Sequence, residues 1–374
     1  MSNVLFIGPY RQNDGWGQGA KGYIKALQHT SANVAIRPIY MAGTGFTKEL
    51  PDDIIELEQK QFDGPPNIII QNVLPTLLSY QPDAYNIGLF YIETQGIKHT
   101  GWIYRMNLMD EIWVASNHEK QVLEEEGVTV KISVVPMCID IEHLQRQVKP
   151  LSIPGCDTDY TFYFIGEHTN RKNMLGLLSA FHQEFDKHEP VRLVIKCNKM
   201  GMHPDVLQEN VSTCIKQLKQ QMRLYPNLQN YHNEILVTGH LSEDEMLGLH
   251  RACDCLVVPS CGESLNRPAM EAMCVGNDLV VNGQTGMKDT VGIWGLKARS
   301  NKVPIIIPDA PMPTIYTGRE TWQEVDILNL RCCLRASYES RNKLKPSGRE
   351  EYMKRFSYEQ VGNVMEDLII NAAN

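Results

Sequence analysis

The sequence predicts an α/β protein of two doubly wound domains in tandem. Short β-branched runs alternate with longer helical patterns along most of the chain, as βαβ units do. The alternation comes as two series, parted by a stretch with little periodicity. At 374 residues, the chain is also longer than one ordinary core holds.

In the first series the strand candidates are NVLFIG (3–8), VAIRPIY (34–40), NIIIQN (67–72), NIGLFYIE (86–93), EIWVAS (111–116) and KISVVP (131–136). QVKPLSIPGCDTD (147–159) then carries two prolines and a glycine, which sets a domain boundary near 150. The second series runs YTFYFIG (160–166), VRLVIKC (191–197), EILVTG (234–239), CLVVPS (255–260), DLVVNG (278–283) and VPIIIP (303–308). Residues 1–150 thus form one domain and 151–345 another, and 346–374 form a C-terminal helix that crosses back to the first. Ser357 caps that helix, with Gln360 at capping-box spacing. Ligands of such sheets sit at the carboxyl ends of the strands, so the cleft between the domains is the expected active site.

Composition narrows the function classes. Hydrophobic residues at 43% and charged residues at 21% are ordinary for a globular protein and exclude disordered and fibrous classes. A net charge of −8 disfavours a surface held all over by nucleic acid or anionic lipid, while leaving room for a local basic patch. The ten cysteines include no CxxC pair, and Cys332 and Cys333 are adjacent, so reduced thiols are expected. No run of 18 apolar residues occurs and the N-terminus lacks the pattern of a secretory leader, which points to a cytoplasmic protein without integral membrane contact.

The chemistry concentrates in CGESLNRPAMEAMCVG (261–276), which follows a short apolar run. Pro268 sits near the first position of a helix and Gly276 just past its end. Free backbone N–H groups at a helix start stabilise an anion, typically a phosphate. Glu271, one turn inside, can accept two hydroxyl hydrogen bonds, as a ribose diol offers, and Glu263 reaches past the phosphates to another polyol. A nucleotide sugar has a diol at each end and a diphosphate between. The plainer alternative makes Glu263 a solvated loop residue and Glu271 a partner of the helix dipole.

PSCGESLNRPAMEAMCVG resembles the E-x7-E signature of the retaining glycosyltransferases of family 4, which have the two-domain GT-B fold. FIGEHTNRKNMLGLLSAF (164–181) and ILVTGHLSEDEMLGLHRACDCLVVPS (235–260) resemble further segments of that family in order and separation, as DEIWVASNHEKQVLEEEGV and ISVVPMCID do more weakly. The resemblance implies that Lys172 contacts the diphosphate, Glu271 the ribose and Glu263 the hydroxyls of the transferred sugar. It implies backbone N–H groups of Ser264, Leu265 and Asn266 near the phosphates and sugar, and puts Gly239 and His240 on the donor side. One residue departs from the pattern: Glu167 follows Gly166, where the family usually has arginine, and Arg171 is the neighbouring candidate to supply that charge.

The first loop, GPYRQNDGWGQGAKGYIKAL (8–27), does not spell GxGxxG. Gly17 and Gly19 let backbone approach something closely. In the resemblance this loop faces the donor phosphates, with Tyr10, Arg11 and Trp16 as acceptor contacts; loop packing is the alternative. Glu93 ends a strand and is open to roles as general base, acceptor ligand or helix cap. Histidines 99, 118 and 240 lie near strand ends, but no spacing suggests a metal site, and lysine with helix N-termini can neutralise a leaving diphosphate. No cofactor beyond the nucleotide-sugar cosubstrate is therefore expected. Residues 331–355 hold eight Lys or Arg against three Glu, either a solvated helix face or a patch for an anionic acceptor such as DNA or RNA.

These readings converge on transfer of a hexose or pentose from a nucleotide-diphosphate sugar, UDP-sugar favoured, to an acceptor hydroxyl with retention of configuration. The acceptor is a soluble glycan, a small molecule or a hydroxylated DNA base. A lipid-linked acceptor fits less well, because residues 1–150 hold more acidic than basic residues. A nucleotide-sugar epimerase or hydrolase and a non-catalytic sugar-nucleotide-binding module are the competing readings.

Overall fold

The computed structural model describes residues 2–41, 49–306, 316–343 and 347–373. It divides into two compact units, Met1–Ile141 with Pro304–Thr321 and Glu351–Asn374, and Glu142–Val303 with Trp322–Glu350. The unit boundary thus falls at 141 rather than near 150, and the sequence pattern gave no sign that 304–321 would join the first unit.

Unit 1 is built from β1 (Asn3–Gly8), α1 (Gly15–Leu27), β2 (Asn33–Pro38), α2 (Asp52–Gln59), β3 (Ile68–Asn72), β4 (Tyr85–Leu89), α3 (Trp102–Met106), β5 (Glu111–Val114), α4 (Asn117–Glu126) and β6 (Lys131–Val134). Its six strands lie in the order β2-β1-β3-β4-β5-β6, and every pairing is parallel. Helices cover both faces, so strands such as IIIQN are buried along their whole length and begin as apolar runs rather than alternating. Two short helices, α5 (Ile141–Gln145) here and one at Arg349–Lys354, span points where the chain passes from one unit to the other.

Unit 2 continues with β7 (Tyr160–Glu167), α6 (Met174–Glu184), β8 (Val191–Asn198), α7 (Pro204–Met222), β9 (Glu234–Val237), α8 (Glu243–Ala252), β10 (Cys255–Val258), α9 (Arg267–Val275), β11 (Asp278–Asn282), α10 (Met287–Val291) and β12 (Leu296–Ala298). The strand order is β12-β11-β10-β7-β8-β9, again wholly parallel. Along β7, alternate residues serve different faces. Phe162 and Phe164 enter the cluster of Leu177, Phe181 and Leu334. Tyr163, between them, hydrogen-bonds His250 of α8.

The sixth strand of this sheet is β12, not the expected 303–308. Leu-Lys-Ala is too short and too polar to stand out from sequence. Residues 300–304 form β13 (Ser300–Pro304), which pairs with β14 (Thr321–Val325) in a separate two-stranded sheet, and 307–308 lie outside the described residues. The chain closes with α11 (Ile327–Glu339), α12 (Arg349–Lys354) and α13 (Tyr358–Ala373). Gln360 N donates to Ser357 Oγ at 3.2 Å, so Ser357 caps α13, which packs on α1 within unit 1. The start of the expected C-terminal segment, residue 346, lies outside the described residues.

Candidate active site

In unit 2 the strand order reverses between β7 and β10, and the loops leaving their carboxyl ends flank that switch point. Loop 168–173 and loop 259–266 are stitched together there. Cys261 N donates to Arg171 O at 2.7 Å, Arg171 Nη1 to Gly262 O at 2.8 Å, and Asn173 Nδ2 to Pro259 O at 3.2 Å.

These bonds deliver Lys172 to Glu263. Lys172 Nζ donates to Glu263 Oε1 at 2.6 Å, and Arg171 Nη1 lies 3.6 Å from the same oxygen. Glu263 is only 5% exposed. Burial pushes its pKa up, but the charges of Lys172 and Arg171 more than offset this and hold the carboxyl below its ordinary value. An ammonium has three donors, so Lys172 keeps capacity for an anion beside Glu263.

Loop 259–266 is clamped from the other side as well. Gly286 N donates to Glu263 O at 2.9 Å, and Thr290 Oγ1 to Leu265 O at 2.7 Å. A Cβ at Gly286 would lie 1.6 Å from Ser264 O, so only glycine admits this approach. Ser264 Oγ is buried with no partner among the described residues.

Asn266 takes a left-handed φ of 63° and its side chain accepts Ala269 N at 3.0 Å. Pro268 has no N–H. The start of α9 is therefore a weaker anion site than its sequence suggested, because its first turn is already capped or lacks donors. Arg171 and Lys172 likewise precede α6 rather than opening it: the helix begins at Met174 behind the cap Asn173.

Glu271 has its own donors. Arg267 Nε donates to Oε1 at 2.6 Å, one helical turn away, and His250 Nε2 lies 3.5 Å from Oε2. Burial opposes ionisation, but Arg267 and His250 outweigh it and bring the carboxyl down to about 2. Behind His250, Tyr163 Oη sits 2.7 Å from Nδ1. Donation from Tyr163 to Nδ1 leaves Nε2 as an N–H that faces the carboxylate. Periodicity could not find His250 or Tyr163, since both read as core positions.

Glu167 accepts Met200 N at 3.3 Å and steadies the turn after β8, where Lys199 Nζ donates to His168 O at 3.1 Å. Lys199 was missed, although NKMG directly after a strand was a visible signal. Gly239 and the exposed His240 follow the edge strand β9, which β8 separates from β7. The structure does not group them with Lys172 and Glu263.

Unit 1 corrects several expectations. Tyr10 is fully buried and its hydroxyl donates to Glu58 at 2.8 Å, while Arg11 grips Glu58 through Nε at 3.0 Å and Nη2 at 2.8 Å. Both are held by the carboxylate of α2, so Tyr10 is not an acceptor contact and Arg11 is already engaged. Trp16 packs edge-on against Tyr91 with ring centroids 4.9 Å apart. The close approaches at Gly17 and Gly19 are made by the protein itself, since added Cβ atoms would lie 2.0 Å from Gln12 O and 2.3 Å from Tyr91 Oη. Glu93 does not end a strand. β4 stops at Leu89, and the following loop is held by Glu119, which accepts Ile92 N at 2.7 Å and Ala115 N at 2.9 Å.

Four of the eight basic residues of the run near the C-terminus are engaged inside unit 2. Arg335 pairs with Glu184 at 2.8 Å and stacks on Phe185, Arg331 also reaches Glu184, Arg341 lies over Tyr338, and Arg349 donates to Asn277 O. Residues 344–346 of that run lie outside the described residues. Among the described residues no group of three His, Cys, Asp or Glu is arranged to hold a metal, and no helix is long and apolar enough to cross a membrane.

The family model for glycosyl transferases group 1 matches residues 159–307, which cover β7 to β13 and hold both glutamates. Residues 159–307 are thus similar to a group 1 glycosyl transferase domain. Solved structures extend the likeness to the whole chain. Sucrose-phosphate synthase from Thermosynechococcus elongatus is 15% identical with a TM-score of 0.66, covering 99% of each chain. Anabaena HepE in complex with UDP and glucose is 12% identical with a TM-score of 0.61, over 99% of this chain and 100% of that one. The E. coli trehalose-6-phosphate structure bound with UDP-2-fluoro glucose is 10% identical with a TM-score of 0.62, over 100% and 99%. At such identities the likeness establishes the fold, which is GT-B. No curated protein matches the sequence. Within the matched segment, Glu263 and Glu271 are the two ends of the E-x7-E pattern, and each carries its own partners.

Proposed function

We propose that the protein transfers a sugar from a nucleotide-diphosphate sugar to an acceptor hydroxyl with retention of configuration, without a metal ion. The observation that carries this reading is the pairing of Lys172 and Arg171 with Glu263 at the switch point of a group 1 glycosyl transferase domain. A buried carboxylate held ionised, with cations beside it, suits a ligand whose hydroxyls need acceptors while its phosphates need positive charge. The unpartnered Ser264 hydroxyl supports a polar ligand at the same loop, since buried polar groups normally find partners.

In this reading Lys172 and Arg171 stabilise the charge that develops on the leaving diphosphate. Glu263 holds hydroxyls of the transferred sugar, and Glu271 accepts the ribose diol. Arg171 takes the place of the arginine that Glu167 displaces. UDP-sugars are the favoured donors; two of the structural neighbours are complexes with UDP or a UDP-sugar. The acceptor is a soluble glycan, a small molecule or a hydroxylated DNA base, and the engagement of Arg331, Arg335 and Arg349 leaves the nucleic-acid option with fewer free charges.

Calorimetric titration with UDP-, GDP- and ADP-sugars tests the reading, wild type beside Glu271→Ala. Micromolar binding of one donor, weakened at least about tenfold in the mutant, is the expected result. Equal affinity in both proteins would remove Glu271 from the donor site. Donor consumption without any acceptor would replace transfer by hydrolysis or epimerisation.

A further inference from the structure

Among the described residues two lysines are buried, and they are used differently. Lys219 gives its ammonium to Glu234 at 2.9 Å and to His232 O at 2.8 Å. Lys196, on β8 and only 9% exposed, has no hydrogen bond or ion pair among the described residues. Burial lowers its pKa, and only the neighbouring Cys197 opposes that shift. A buried cation without acceptors is costly to a fold, and a ligand that supplies them removes the cost.

Strand alternation fixes where Lys196 points. Leu193, Ile195 and Cys197 enter the cluster built with α6, α7 and α11, so Val194 and Lys196 face the other side of the sheet. Tyr163, the register partner of Val194, faces that same side and meets His250 of α8, which approaches Glu271. Lys196 therefore lies one strand across from Tyr163 and two residues nearer the carboxyl ends, about 8 Å between Cα atoms by strand geometry. Lys172 crosses the strand ends on the Phe164 side, its Cδ 3.5 Å from where a Cβ of Gly166 would stand. The phosphate-side and ribose-side candidates thus flank the strand ends from opposite faces, and Lys196 is on the ribose side.

We propose that Lys196 selects the base of the nucleotide donor by donating to a ring carbonyl oxygen of uracil or guanine. The inference rests on the nucleotide-sugar reading above, with ribose at Glu271. An ammonium carries donors only, so it satisfies a carbonyl oxygen of uracil or guanine and offers nothing to the amino group of adenine. The phosphates already have Lys172 and Arg171, which leaves the base as the part of the donor that Lys196 can serve.

The test is calorimetric titration of the full chain with UDP, GDP and ADP, wild type beside Lys196→Met and Glu271→Ala. Methionine keeps an unbranched side chain and removes the buried charge, so Lys196→Met should unfold at a temperature no lower than wild type. Wild type should bind UDP or GDP at least about tenfold more tightly than ADP, and Lys196→Met should weaken that nucleotide at least about tenfold while ADP affinity stays within about twofold. Equal weakening of all three nucleotides, as loss of a phosphate contact gives, would overturn base selection, and so would unchanged affinities in Lys196→Met beside a loss in Glu271→Ala. A wild type that binds none of the three overturns the donor reading and base selection together. Base-selective binding that depends on Lys196, without sugar transfer to any acceptor, would remove the transferase reading and leave base selection standing.

Discussion

Glu271 shows how three side chains keep a carboxylate ionised in a site that is only 13% exposed. Its ordinary value of 4.5 falls to about 2 in the folded protein, so the ionised form stabilises folding above pH 4.5 and the contribution disappears as pH falls towards 2. At neutral pH that contribution is on the order of 3 kcal/mol. Urea unfolding of Glu271→Gln should accordingly give a flatter stability curve than wild type between pH 4.5 and 2; parallel curves would mean that Arg267 and His250 do not act on it. His250 belongs to the same device, with Tyr163 fixing its outer nitrogen. His250→Gln can still donate to Glu271 and should retain donor affinity within about fivefold, whereas His250→Phe should lose more than about tenfold at unchanged fold. Equal losses in the two variants, read by calorimetry, would make His250 a packing residue only.

Among the elements, the loop after β10 is the one whose shape is imposed from outside. Its own residues are held by Arg171 on one side and by Gly286 and Thr290 on the other. The close approach at Gly286 decides how far the loop can move: a methyl group there meets Ser264 O at 1.6 Å, and backbone cannot yield as a flexible side chain does. Gly286→Ala should cost more than about 2 kcal/mol in chemical denaturation and should also weaken donor binding, since Ser264 and Glu263 shift together. A variant as stable as wild type would show that the loop relaxes freely. Elsewhere, α11 is fastened to α6 by Arg331 and Arg335 on Glu184, which explains why a basic run can be structural in an acidic chain.

Across the whole molecule, the chain returns to its first unit at the end: α13 packs on α1, and Val361, Met365 and Ile369 are buried. Each large apolar side chain so buried contributes roughly 2 kcal/mol. Deletion of residues 357–374 should therefore speed hydrogen exchange in α1 and lower the stability of unit 1, while the β7 and β8 strands of unit 2 keep their protection. Unchanged exchange in α1 would mean that the last helix is dispensable to the unit it joins.

The sequence by itself determined the fold class and the position of eleven of the twelve long-sheet strands, because parallel strands buried on both faces must be continuous apolar runs. It also marked Glu263 and Glu271 as candidates, whose spacing is a local property of loop and helix, while Lys172 came from the family resemblance and only the fold brings it to Glu263. It could not assign β12, a three-residue strand recognised only by its neighbour, nor place 304–321 in the first unit. Nor could it show that Tyr10 and Arg11 are bound by Glu58, 47 residues on, or that Gly17 and Gly19 yield to Gln12 and Tyr91 rather than to a ligand. A polar residue in a loop reads the same whether it faces solvent or a distant carboxylate. Only the tertiary structure decides, because the partner is chosen by packing across the fold and leaves no mark in the local sequence.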